Sequence, residues 1–172
     1  MKIIKLLLLL LSVNIAALAQ TNNIFDAVRS NDVKTVSTYL AAGYSADSTN
    51  SAGHTMLILA VYNNNIEVAK TLVKSGSKPD LQDNSGNSAL MGACFKGYED
   101  LAILLLANRA KPNLINYNGA NALFFAATFG HEKLVKILLD AKADKNQKDK
   151  FGKTPLDYAR NQGNEAIVAM LE

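Results

Sequence analysis

The chain has 172 residues, with 18 Lys and Arg against 15 Asp and Glu, a formal net charge of +3. So small an excess gives no electrostatic reason to expect nucleic acid or anionic lipid as the main partner. The single cysteine, Cys94, excludes an intramolecular disulfide in any compartment.

In chain order, the first element reads as a leader. Lys2 and Lys5 form a basic start, Leu6 to Leu11 is an unbroken apolar run, and Ala17-Leu18-Ala19 has the small-residue pattern of a cleavage site. Residues 1–19 are therefore expected to be a secretory signal peptide cut after Ala19. The run is shorter than the roughly 20 apolar residues of a membrane span, so no stable insertion is expected after cleavage. Without Lys2 and Lys5 the mature chain keeps 16 basic and 15 acidic residues, net +1. The expected location is exported, periplasmic or secreted.

Residues 20–172 read as one domain with a step of 33 residues. Gly53, Gly86, Gly119 and Gly152 share one register, Leu57, Leu90, Leu123 and Leu156 a second, and Ala60, Ala93, Ala126 and Ala159 a third. A period of this length marks one supersecondary unit in tandem, each copy burying its apolar face against its neighbours. In the copy 83–115, Asp83 to Asn87 is a turn signal, and Ala89, Leu90, Ala93 and Cys94 form an apolar stripe at helical spacing. Cys94 stands where the neighbours have Val61 and Ala127, which makes it a small core residue.

Gly97 stops that helix, and a second helix runs from about Glu99 to Asn108. The stop column reads Asn31, Asn64, Gly97, Gly130 and Gly163, residue types that enter the left-handed region readily. Each unit is thus a helix pair with a left-handed stop between. After the second helix, Asp47, Asp80, Asn113 and Asn146 are expected to close local turns. The copies span 50–82, 83–115, 116–148 and 149–172, the last a C-terminal cap, with 22–49 an N-terminal capping half-repeat.

These residues resemble the ankyrin repeat. Thr154-Pro155-Leu156-Asp157-Tyr158-Ala159 matches the T-P-L-H-x-A signature in all but His, with looser matches from Thr55, Ser88 and Asn121, and Gly130-His131 matches the Gly-His pair between helices. The resemblance covers residue 22 to the end and implies an all-α solenoid of helix pairs joined by β-turn or hairpin loops. The chain departs from it at the signature His, replaced by Ile58, Met91, Phe124 and Asp157, and apolar packing is expected to stand in for the polar link. It departs again where the loop glycine, present as Gly43 and Gly76, becomes Arg109 and Lys142. A left-handed backbone at those two sites costs roughly 1 kcal/mol each relative to Gly.

No residue pattern points to catalysis, a cofactor or a metal. His54 and His131 fall in different registers about two repeats apart and read as turn and helix-start residues. Lys142, Lys145, Lys148, Lys150 and Lys153 are interleaved with Asp144 and Asp149 and read as a solvated loop. The resemblance implies a concave groove lined by turn tips and first helices, and its columns hold Tyr62, Asn63, Phe95, Lys96 and Phe129 on the helices with Tyr117, Phe151 and Lys153 at the tips. Five of these are aromatic in a chain with only 6 Tyr and 6 Phe, at positions the repeat does not need for its core. The reading is a non-enzymatic module that binds a protein or extended peptide through this groove. Its alternative is an inhibitor or immunity-type protein that blocks an exported enzyme or toxin. Ile103, where neighbouring repeats have Lys70 and Lys136, is the one candidate patch for self-association of an otherwise monomeric chain.

Overall fold

The period resolves into two layers of short helices in the computed structural model, which describes residues 24–172. The leader and its cut after Ala19 lie outside the described residues. The inner layer holds α1 (24–29), α3 (Met56–Tyr62), α5 (Ala89–Lys96), α7 (Ala122–Thr128) and α9 (Pro155–Asn161). The outer layer holds α2 (Val33–Ala41), α4 (Ile66–Lys74), α6 (Glu99–Ala107), α8 (Glu132–Asp140) and α10 (Glu165–Leu171). From α3 to α9 each inner helix stacks on the next, and from α2 to α10 each outer helix does the same. The architecture is an all-α solenoid. Among the described residues no helix is long and apolar enough to cross a membrane.

Each inner helix starts at a capping column, where Thr55, Ser88, Asn121 and Thr154 accept hydrogen bonds from backbone N–H groups of the first turn. Such caps satisfy donors that a helix cannot satisfy itself, worth about 1 kcal/mol apiece. Behind them Leu57, Leu90 and Leu123 and the alanines at 60, 93, 126 and 159 are buried, while Leu156 in the last copy is half-buried. Full burial of a leucine contributes about 1.5–3 kcal/mol, and the small alanines let adjacent inner helices approach. Cys94 is buried in this seam, and burial pushes its thiol pKa up, as befits a core residue.

The stop column is left-handed throughout, from Asn31 (φ 58) to Gly163 (φ 68). Arg109 (φ 68) and Lys142 (φ 66) share the conformation of Gly43 and Gly76, so the expected strain is present. Ile58, Met91 and Phe124 are buried where the family signature has His. Asp157 instead closes a reciprocal cap with Thr154: each accepts from the other's backbone N–H, at 2.8 Å and 3.3 Å.

One expectation is corrected. Asp47, Asp80 and Asn113 do not close local turns but reach into the next repeat, where their Oδ1 atoms accept from the N–H groups of Lys78 (2.8 Å), Lys111 (2.9 Å) and Asp144 (2.6 Å). The two carboxylates face lysines, whose Nζ atoms lie 3.9 and 3.6 Å away, whereas the neutral Asn113 faces an aspartate. Pairing an acid with a base and an amide with an acid avoids like-charge repulsion at each joint. At the N-terminal end Asn65 makes the corresponding tie, its Nδ2 donating to the carbonyls of Val28 (2.6 Å) and Arg29 (2.9 Å).

Candidate functional site

Four tips of one construction fold over the exposed side of the inner helices. Asn50, Asp83, Asn116 and Asp149 each use Oδ1 to accept two backbone N–H groups, two and four residues on, at 2.8–3.0 Å. The side chain thus holds the turn from within, and the glycine that follows three residues later supplies a positive φ. Neighbouring tips are joined by backbone hydrogen bonds, Tyr117 N–H to Ser85 O (3.2 Å) and Lys150 N–H to Asn118 O (2.8 Å). Residues between these anchors are held in place.

Between the last two tips and helices α7 and α9 lies a depression of about 220 Å³. Phe124, Phe125, Phe129, Phe151 and Tyr158 form its apolar walls, with Asn116, Asn118, Thr128, Asp149 and Lys150 at its polar edges. Phe95 extends it to a third repeat. Its ring meets Phe129 edge-on with centroids 4.8 Å apart and Phe125 at 6.5 Å, the geometry the aromatic quadrupole favours. A larger hollow, about 480 Å³, lies at the N-terminal edge beside Ile24 and Asp32, where the described residues begin, and gathers no comparable set of rings.

The residues singled out from sequence divide in two. Phe95 (39%), Phe129 (49%), Phe151 (70%) and Tyr117 (74%) are exposed. Phe95, Phe129 and Phe151 meet at the depression or its rim, while Tyr117 stands at the preceding tip, away from the depression's walls. Lys96 is exposed, its Nζ 5.8 Å from the Phe95 centroid, and Lys153 is exposed beside Phe151. Tyr62 departs from expectation: it is half-buried against the core, its ring edge-on to His54 at 5.9 Å, so the repeat does use it for packing. Asn63 caps α3, its Nδ2 donating to the Leu59 carbonyl (2.8 Å). Ile103 is half exposed on the outer layer. His131 is the first cap of α8, its Nε2 3.4 Å from the Phe95 carbonyl, and His54 Nε2 lies 3.9 Å from Asp83 Oδ2.

Sequence reading passed over Phe125 and Tyr158, which occupy one column with Leu59 and Gly92. The signal was present there: a column that grows from Gly to Phe to Tyr across one face. Tyr158 also fixes the last tip, its hydroxyl donating to Asp149 Oδ2 at 2.6 Å. That bond raises the Tyr158 pKa. For Asp149, desolvation pushes upward, but the bonds from Tyr158, Lys153 and Phe151 outweigh it and hold the carboxyl below its usual value. Tyr62 is raised by desolvation and then by the Asp83 charge.

No curated protein matches the chain. A family model described as ankyrin repeats, in three copies, matches residues 24–116 and again residues 104–172. Those matches run from the first described helix to the final residue, and the two-layer helix pairs with left-handed stops carry the same register. The chain belongs to the ankyrin repeat family.

Proposed function

We propose that this chain is a non-enzymatic interaction module of an exported compartment, holding a protein or extended peptide in the groove of its inner face. Ankyrin repeats are generally protein–protein interaction modules and typically non-enzymatic. The observation that carries the finer reading is the meeting of exposed rings from three repeats, Phe95, Phe129 and Phe151, around one depression. Rings exposed in this way lose little conformational entropy on binding and dominate interface energetics when covered. Asn63, Lys96, Tyr117 and Lys153 extend the contact surface toward both ends of the array.

The test is capture from an exported fraction on the mature chain, in parallel with the Phe95→Ala/Phe129→Ala double variant, read by mass spectrometry. The expected result is a partner retained by wild type and lost by the variant, with the helical circular-dichroism signal unchanged. Equal capture by both proteins sinks the groove assignment. Stoichiometric loss of a captured enzyme's activity on mixing would move the reading to the inhibitor class.

A further inference from the structure

We infer that the groove takes an acidic peptide, with one large apolar side chain seated among Phe129, Phe151 and Tyr158 and carboxylates flanking it. The inference rests on the groove being a peptide site and adds the chemistry of its occupant.

Two lysines stand over the rings, and a third follows on the last tip. Lys150 lies over Phe151, Nζ 5.1 Å from the centroid, and donates to Asn118 Oδ1 at 2.6 Å, both residues edging the depression. Lys96 lies over Phe95, which packs on Phe129. Lys153 is rooted at the rim through its N–H bond to Asp149. Lys150, exposed as expected of this solvated loop, is held across two tips by a ring and an amide.

None of the three ammoniums has a carboxylate within ion-pair distance among the described residues. Lys70, Lys78, Lys111 and Lys133, by contrast, pair with Glu67, Asp47, Asp80 and Glu99. The carboxylates of the last tip and of α9 are already engaged. Asp149 accepts from two backbone N–H groups and the Tyr158 hydroxyl, and Asp157 accepts from the N–H and hydroxyl of Thr154. A ligand entering the depression thus meets apolar walls, with the Asp149 carboxylate already hydrogen-bonded at one edge and the Lys150 ammonium, out of ion-pair contact, at another. Rings of this kind supply most of the affinity, while rim charges decide which sign of partner is admitted and how fast it arrives. The near-neutral chain and the narrow apolar seat favour a peptide over a nucleic acid, whose charge recurs at every residue.

The test is selection of a phage-displayed random peptide library on the mature chain and on its Lys96→Glu/Lys150→Glu/Lys153→Glu variant, whose substitutions all fall on exposed side chains. Wild type is expected to enrich sequences with Phe, Trp or Leu next to Asp or Glu. A synthetic member of that set should bind more weakly as NaCl is raised, and roughly tenfold more weakly to the charge-reversed variant. The variant should enrich Lys and Arg instead. Peptides that need Phe129 but show no acidic bias, or bind both proteins equally, overturn the charge inference and leave the groove reading standing. Peptides indifferent to Phe129→Ala, or no enrichment at all, overturn both. Tighter binding of oligodeoxythymidine than of any selected peptide overturns the choice of a peptide.

Discussion

Tyr62 and Phe95 occupy the same column one repeat apart, yet one ring settles into the core and the other stands in the groove. The difference lies thirty positions further on, at the facing residue of the next inner helix. Opposite Tyr62 is Gly92, and the ring lies over its backbone, Tyr62 Cζ coming within 3.5 Å of where a Cβ would be. Opposite Phe95 is Phe125, whose ring meets it edge-on and leaves no room beneath. In a stack of identical units, the exposure of a groove side chain is therefore set by the size of its counterpart in the following unit. The Tyr62 region becomes core, and the Phe95 region becomes surface.

The largest way to break this comparison is at the tips that close each region. Gly53 and Gly86 share a register and a left-handed backbone, φ +77 and +78. A Cβ on Gly53 would meet the Asn84 side chain, which can swing away, whereas a Cβ on Gly86 would stand 2.7 Å from the Tyr117 backbone nitrogen. Gly86→Ala is expected to cost about 2–4 kcal/mol, against about 1 kcal/mol for Gly53→Ala. Urea unfolding followed by circular dichroism distinguishes them, and equal losses would mean the tips yield as easily in both regions. The rings themselves give the next effect. Tyr62→Ala should cost about 1–2 kcal/mol of stability, below the range for a fully buried aromatic. It should leave captured-partner affinity within about threefold, whereas Phe129→Ala should cost less stability and at least about tenfold in affinity. The reverse pattern would place the binding surface in the Tyr62 region.

Much of this was legible because the signals are local. A capping Thr or Ser, a leucine at fixed phase and a Gly or Asn at a left-handed stop each act within one turn of chain, so the period, the helix pairs and the strain at Arg109 and Lys142 could be read directly. The fate of Tyr62 could not be read from its own repeat, because Gly92 decides it. Phe125 and Tyr158 escaped notice for the same reason: their column starts as core at Leu59 and opens only in later copies. Asp47 and Asp80 misled because the residue types that close a local turn also tie one repeat to the next. The discriminating clue was the facing residue, lysine opposite each acid and aspartate opposite Asn113.

Two substitutions should strengthen the array. Arg109 in the loop after α6 carries left-handed strain that glycine relieves, so Arg109→Gly should raise stability by about 1 kcal/mol, partly offset by the greater freedom of an unfolded glycine. Gly92 sits inside α5 with no positive φ, and an added Cβ would make ordinary contacts with Tyr62 and Val61 at 3.5–3.7 Å. Gly92→Ala should therefore stabilise by about 0.5–1 kcal/mol, with the Tyr62 ring lifted slightly. Thermal melts of both variants check the pair. Destabilisation by Gly92→Ala would mean the ring needs the full depth of that gap, a sharper form of the same contrast.

The smallest effect separates the last tip from the other three. Asn50 and Asn116 hold their tips with a neutral amide, so Asp149→Asn should keep the turn and remove only the charge behind the Tyr158 bond. The folded pKa of Asp149 lies below its unfolded value, near 3.9 for an ordinary aspartate. The contribution of its charge is thus fully present above about pH 4–5 and is lost as pH falls through the lower folded value. Wild type should be slightly more stable than Asp149→Asn at neutral pH, and the two urea midpoints should converge as pH drops below about 4. Asp32 and Asp157 also have lowered values, Asp32 through Thr35 and Asp157 through Thr154, but they titrate in both proteins and cancel from the difference. A gap that stays constant from pH 7 to acid would show that the Tyr158 bond does not depend on the Asp149 charge, and the final tip would then be held no differently from those built on asparagine.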